Sequence, residues 1–132
     1  MEPMMVASTA LELSPLSVRQ ARNVFQSNAD RLGLSLEARD AGSLAVSEIV
    51  TNAIRYGSGP IELRTVLGST SIRVEVSDRG PEMPVSREAE PEAVGGRGLG
   101  IINAVAQAWG CDRHAHDGGK TVWFTLPRTI RI

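Results

Sequence analysis

The hydrophobic period of this chain changes abruptly at Gly57. Before it, apolar residues recur at helical spacing; from Ile61 to Asp78 they fall at every second position, with Gly68-Ser69 between the two halves. Helical stripes followed by a hairpin exclude an all-helical bundle and an all-β barrel alike. The helices must bury their stripes against the apolar face of a sheet that this hairpin begins.

Earlier residues divide into two helices. Ser14-Pro15 is a start signal, a capping hydroxyl with proline at the first helical position. From there Leu16, Ala21, Val24, Phe25 and Leu32 recur at helical spacing until Gly33. Ser35 caps a second helix over about Leu36 to Tyr56, with Ala41, Leu44, Ala45, Ile49, Ala53 and Ile54 as its apolar face and Gly57 as its stop. Residues 1–14 are weakly patterned, and Ala7 to Leu13 could form an edge strand or a flexible start.

Periodicity fails from Arg79 to Gly98, a stretch holding Pro81, Pro84, Pro91 and several acids and ending in glycines. A loop of that length in a compact domain is functional or disordered. Leu99 to Trp109 resumes a helical pattern, and Gly110 stops it. Two strands follow, about Cys111 to His116 and Thr121 to Leu126, joined by Asp117-Gly118-Gly119. The expected order is helix, helix, hairpin, loop, helix, hairpin: a two-layer α+β sandwich built as one domain over 1–132, with no internal repeat.

Composition narrows function mainly by exclusion. The 132 residues are 42% hydrophobic and 22% charged with a net charge of -1, and the charges are interspersed rather than gathered in a basic stripe. No direct nucleic-acid partner is expected. No apolar run approaches the ~20 residues that span a bilayer, and no signal-like start precedes Ala7, so a cytoplasmic location off the membrane is expected. The single cysteine, Cys111, precludes an internal disulfide and reads as a small strand residue rather than a nucleophile.

Three local signals carry chemistry. Glu48 and Asn52 are four apart on one helix face beside the Ile49/Ala53 stripe. A carboxylate and an amide there could serve as general base and hard-metal ligand, or be an ordinary solvated pair. Asp78-Arg79-Gly80 leaves a strand end, where a carboxylate could accept from an exocyclic amine and the glycine let a ring lie close, or simply make an Asx turn. Gly95-Gly96-Arg97-Gly98-Leu99-Gly100 enters a helix, where backbone N–H groups and the helix dipole favour anions and Arg97 adds a cation; a flexible linker would also look so. It is neither a P-loop nor a dinucleotide fingerprint, lacking the GxxxxGK[ST] pattern and a surrounding βαβ unit.

In order, helix E-x-x-x-N-A, strand-end D-x-G and G-x-G-L-G at a helix start resemble the N, G1 and G2 boxes of the GHKL superfamily, which includes type II topoisomerase ATPase domains and histidine kinases. The resemblance runs from about Ala21 to Leu126. The short loop between the G boxes and the phrase Ser47 to Gly57 are similar to the stand-alone anti-sigma-factor serine/threonine kinases of the SpoIIAB and RsbW type.

That resemblance implies a Bergerat ATP-binding fold, mostly antiparallel in its mixed sheet with helices on one face, and residues 79–98 as an ATP lid. It implies ATP and Mg²⁺ as ligands. Asn52 would hold the metal and Glu48 would be the general base. Asp78 would bind the adenine amine, Gly80 supporting it and Thr121 closing the far side. Gly96, Arg97, Gly98, Leu99 and Gly100 would wrap the phosphates, with Arg55 and Tyr56 nearby. The implied activity is phosphorylation of a STAS-type anti-sigma-factor antagonist, with a sigma factor as second partner and a homodimer as the family's common assembly. Two other readings stay open: a nucleotide-gated anti-sigma binding module without transfer, and a detached histidine-kinase catalytic domain. Two features of this sequence depart from its relatives: Asp78-Arg79-Gly80-Pro81 lacks a second glycine, and Glu82, Glu88, Glu90 and Glu92 make the lid acidic.

Overall fold

A computed structural model describes residues 3–81 and 106–128. Strand β1 (Met4–Leu11) precedes helices α1 (Leu16–Arg31) and α2 (Leu36–Tyr56). Strands β2 (Ile61–Leu67), β3 (Ser71–Asp78), β4 (Ala108–Arg113) and β5 (Lys120–Pro127) follow. The strands form one sheet in the order β1-β2-β3-β5-β4, and every described pairing is antiparallel. The fold is the α+β sandwich expected, helices on one face.

Local chemistry sets the helix ends. Pro15 already has helical dihedrals and Ser14 Oγ accepts from the Leu16 N–H at 3.3 Å, so the serine–proline signal works one residue ahead of the assigned start. At the other end Gly33 takes φ +76°, which lets the Leu34 N–H reach back to Ala29 O at 3.0 Å in a Schellman closure. Ser35 Oγ accepts from the Ala38 N–H at 3.1 Å, and α2 has the bounds that the sequence predicts.

The core lies between the helices and the inner sheet face. Phe25 from α1, Val46 and Val50 from α2, Ile61 and Leu63 from β2, Ile72, Val74 and Val76 from β3, and Phe124 and Leu126 from β5 are essentially fully buried. Each such side chain contributes about 1.5–3 kcal/mol when removed from water, so the inward row fixes which face of each strand turns to the helices.

Most of the expected apolar residues pack inward on both helices, but each helix turns one expected leucine outward. Leu44 is 53% exposed whereas Val46 and Val50 are buried, because α2 is gripped by α1 on one flank and the sheet on the other. The buried stripe therefore runs through Ala38, Gly42, Ala45, Val46, Ile49, Val50 and Ala53. Leu16 is likewise exposed, and Ser17 turns inward instead, donating its hydroxyl to Glu12 O at 2.7 Å.

The largest correction concerns the segment before Gly110. Ala108 and Trp109 are not helical: they pair with Thr125 and Phe124 as the start of β4. Gly110 is glycine for another reason than stopping a helix, since a Cβ there would lie 2.7 Å from the Trp123 ring. β4 ends at Arg113, so His114 and His116 belong to the turn, not to a strand. Ala106 and Gln107 are not helical either, the Gln107 N–H donating to Thr125 O at 3.0 Å, and residues 99–105 of the expected helix lie outside the described residues.

Gly42 shows how tightly the helices meet. A Cβ at that position would come within 2.3 Å of Phe25 Cζ and 2.7 Å of Leu126 Cδ1. Gly42→Ala gains about 1 kcal/mol of helix propensity but overpacks a site whose neighbours are buried, at about 1–3 kcal/mol. The expected net result is lower stability, read as a reduced urea midpoint with unchanged slope; a raised midpoint would show that Phe25 can move aside.

Candidate functional site

The C-terminal end of α2 and the end of β3 meet closely, and Asp78 and Gly80 lie at that junction. The Gly57 N–H caps α2 on Ala53 O at 2.9 Å, and the Arg79 N–H donates to Ser58 O at 2.8 Å, joining the two chain segments. Gly57 and Gly80 lie face to face: a Cβ on Gly80 would be 2.8 Å from Gly57 Cα, and one on Gly57 would be 2.7 Å from Asp78 Cγ. The glycine after Asp78 is thus explained by the closeness of two backbones.

Asp78 is 3% exposed at this junction. Its Oδ1 accepts the Gly80 N–H at 2.7 Å, the Asx turn that the sequence allowed. The same oxygen faces Lys120 Nζ at 3.0 Å, and Lys120 also donates to Gly80 O at 3.3 Å. Lys120 is 5% exposed and is the register partner of Asp78 across β3 and β5. A carboxylate and an ammonium, both buried, therefore sit where one lone carboxylate was expected.

Thr121 does not share that position. Side chains alternate along β5, so Val122, Phe124 and Leu126 point to the helices with Lys120, and Thr121 points to the other face. There its Oγ1 lies 2.6 Å from His114 Nε2, at the edge of an open groove of about 480 Å³ on the outer sheet surface. His114 Nδ1 faces Asp117 Oδ1 at 3.0 Å, and the Gly119 N–H bound to that carboxylate holds its pKa below the usual range.

On α2, Asn52 and Glu48 flank the buried Ile49 and Ala53 and are themselves half-buried. Asn52 Oδ1 is inaccessible and has no hydrogen-bond partner among the described residues. A buried amide oxygen left so loses its hydration without return, at about 1–3 kcal/mol. A hard oxygen donor is what Mg²⁺ takes, so the residue fits the metal that the resemblance implies. Arg55 is exposed, and Tyr56 is half-buried in the last turn of α2. Gly96, Arg97, Gly98, Leu99 and Gly100, and the lid from Glu82 on, lie outside the described residues.

Cys111 is half-buried on β4, where burial, with lesser contributions from neighbouring charges, pushes its thiol up to about 11. It stays protonated at neutral pH, as a packing residue would.

An antiparallel sheet covered on one face by helices, with a polar junction between α2 and β3, is the arrangement that the GHKL resemblance implies. The family model described as histidine kinase-like ATPase domain matches residues 11–126, and the chain belongs to that family. The fold also resembles the crystal structure of the RsbU and RsbW domains of Rv1364c from Mycobacterium tuberculosis, with a TM-score of 0.68 at 20% identity. That likeness covers 96% of this chain and 34% of the other, so the present chain spans about a third of its length. No curated protein matches the sequence significantly.

Lys120 is the site residue that the motifs do not reveal. Its signal was the inward parity of Val122, Phe124 and Leu126, which places residue 120 on the buried face, where a lone cation requires an acid.

Proposed function

We propose that this chain is an ATP-binding protein serine/threonine kinase of the anti-sigma-factor type, which phosphorylates a STAS-type antagonist and exchanges it for a sigma factor. The observation that carries the nucleotide part is the inaccessible Asn52 Oδ1 on α2, which has no hydrogen-bond partner among the described residues. At 1.5 Å per residue, Asn52 lies about 7.5 Å and Glu48 about 13.5 Å back along the axis from Gly57. An extended ligand with its base at Asp78 and its polyphosphate alongside α2 suits that spread better than a compact one does.

In this reading Asp78 takes the amine of the base and Asn52 supplies an oxygen to the metal, which when bound neutralises the polyphosphate charge. Glu48 accepts the proton of the attacking hydroxyl. The partner assignment rests on the sequence resemblance to the RsbW type and on the RsbW domain named in the similar solved structure. The homodimer and the cytoplasmic setting belong to the same proposal. Among the described residues no helix is long and apolar enough to cross a membrane.

Calorimetric titration with ATP in the presence and absence of Mg²⁺ tests it. Micromolar, magnesium-dependent binding is expected, and Asn52→Ala should weaken it about 10- to 100-fold, the effect of losing one charge-assisted contact. Absence of binding to the wild-type chain, or equal binding without magnesium, would overturn the assignment.

A further inference from the structure

Lys120 is the only lysine in the chain, every other basic residue bar the histidines being arginine. It is buried, and the ion pair it makes joins the last residue of β3 to the first of β5. Such a pair is a poor device for stability alone, because two apolar residues of similar size would avoid the desolvation of both charges.

We propose that Lys120 contacts the base at the nucleotide site, reading the ring nitrogen beside the amino group that Asp78 reads. This rests on the nucleotide reading given above. Asp78 is a pure acceptor and Lys120 a pure donor, 3.0 Å apart at Oδ1 and Nζ. Adenine presents the complement on adjacent atoms: the N6 amine donates and the N1 ring nitrogen accepts.

Neither group is saturated by the other. An ammonium has three N–H donors, and among the described residues Lys120 uses two, on Asp78 Oδ1 and Gly80 O. A carboxylate accepts at about four lone-pair sites, and among the described residues Asp78 accepts from two groups, the Gly80 N–H and Lys120. Among those residues one donor and at least one acceptor are left for a base, and the pair need not break when the base arrives.

The alternative reader, Thr121, is excluded by parity: it faces the outer sheet surface and is bonded to His114. The bonds from Gly80 fix the positions of both partners before any ligand binds, so little ordering is left to do on binding.

The test compares ATP with 1-deaza-ATP, which keeps the amine and lacks the N1 acceptor, on the wild-type protein. The analogue is expected to bind about 10- to 100-fold more weakly, the worth of a hydrogen bond to a charged donor. Lys120→Met should bring the two nucleotides level. Because that variant strands Asp78, a second readout needs no mutation. With a single lysine, ¹⁵N-lysine labelling gives one Nζ resonance, which ATP should shift and 1-deaza-ATP should leave near its free position. Equal affinity for ATP and 1-deaza-ATP would overturn the role of Lys120 and leave the nucleotide site standing. GTP bound as tightly as ATP would overturn the amino-edge reading. Failure of the wild-type protein to bind ATP at all would remove the nucleotide site itself and the inference with it.

Discussion

Asp78→Ala is expected to cost about 3–5 kcal/mol of folding stability, the penalty for leaving one member of a buried ion pair without its partner. Lys120 would keep only the Gly80 carbonyl, at 3.3 Å, against the desolvation of a full charge. Removing both charges together as Asp78→Leu with Lys120→Met should cost far less, because no charge is then stranded. Most other described ion pairs set the contrast. Arg39 and Asp30, 3.0 Å apart with side chains 29% and 62% exposed, make a surface pair worth about 0–1 kcal/mol. Urea unfolding of the three variants decides the matter. A loss below about 1 kcal/mol for Asp78→Ala would mean that water reaches the pair. A double variant as unstable as the single one would mean that the strands, not the charges, need these residues.

The same pair marks the boundary of what the sequence made legible. Where one local rule governs a residue, the reading held: Ser35 capping α2, Gly33 in the left-handed region, and strict alternation from Ile61 through Val76 each follow from neighbours a few residues away. Where a distant strand governs, it did not. Leu99, Ile102, Val105, Ala106 and Trp109 fit a helical period well, yet Ala108 and Trp109 gain more by pairing with Thr125 and Phe124. The glycine after them suits a helix stop by sequence but is the floor beneath the Trp123 indole. Apolarity alone points Leu44 and Leu16 inward, but the face of a helix is chosen by what covers it, and α2 is covered on two sides.

The candidate site divides on the same line. That Glu48 and Asn52 share one helix and that Asp78 ends a strand is legible because both are local facts. That Gly57 and Gly80 would touch was not, and neither was the exchange of Thr121 for Lys120 beside Asp78, since both depend on how β3 registers with β5. A motif names residue types along the chain, whereas a one-residue difference on a strand moves a side chain to the opposite face of the sheet.

In the proposed reaction, Glu48→Gln is expected to lower phosphoryl transfer to the antagonist by about 10²–10⁴-fold, the usual contribution of a general base. ATP affinity should stay within a few-fold. The separation of the two effects follows from position. Glu48 lies one helical turn beyond Asn52 from the Asp78 junction, so it can reach the transferring end of an extended nucleotide without touching the base. Glutamine keeps the volume of a half-buried residue between Ile49 and the solvent, so packing of α2 should not change. The lower half of that range is the better expectation, because phosphoryl transfer depends mostly on positioning and charge neutralisation, which the substitution leaves in place. Single-turnover transfer of labelled phosphate, at saturating Mg-ATP, separates chemistry from binding. Equal rates for the two proteins would end the base assignment and leave a kinase working by orientation alone. Loss of ATP binding together with transfer would instead place Glu48 among the groups that hold the nucleotide and its metal.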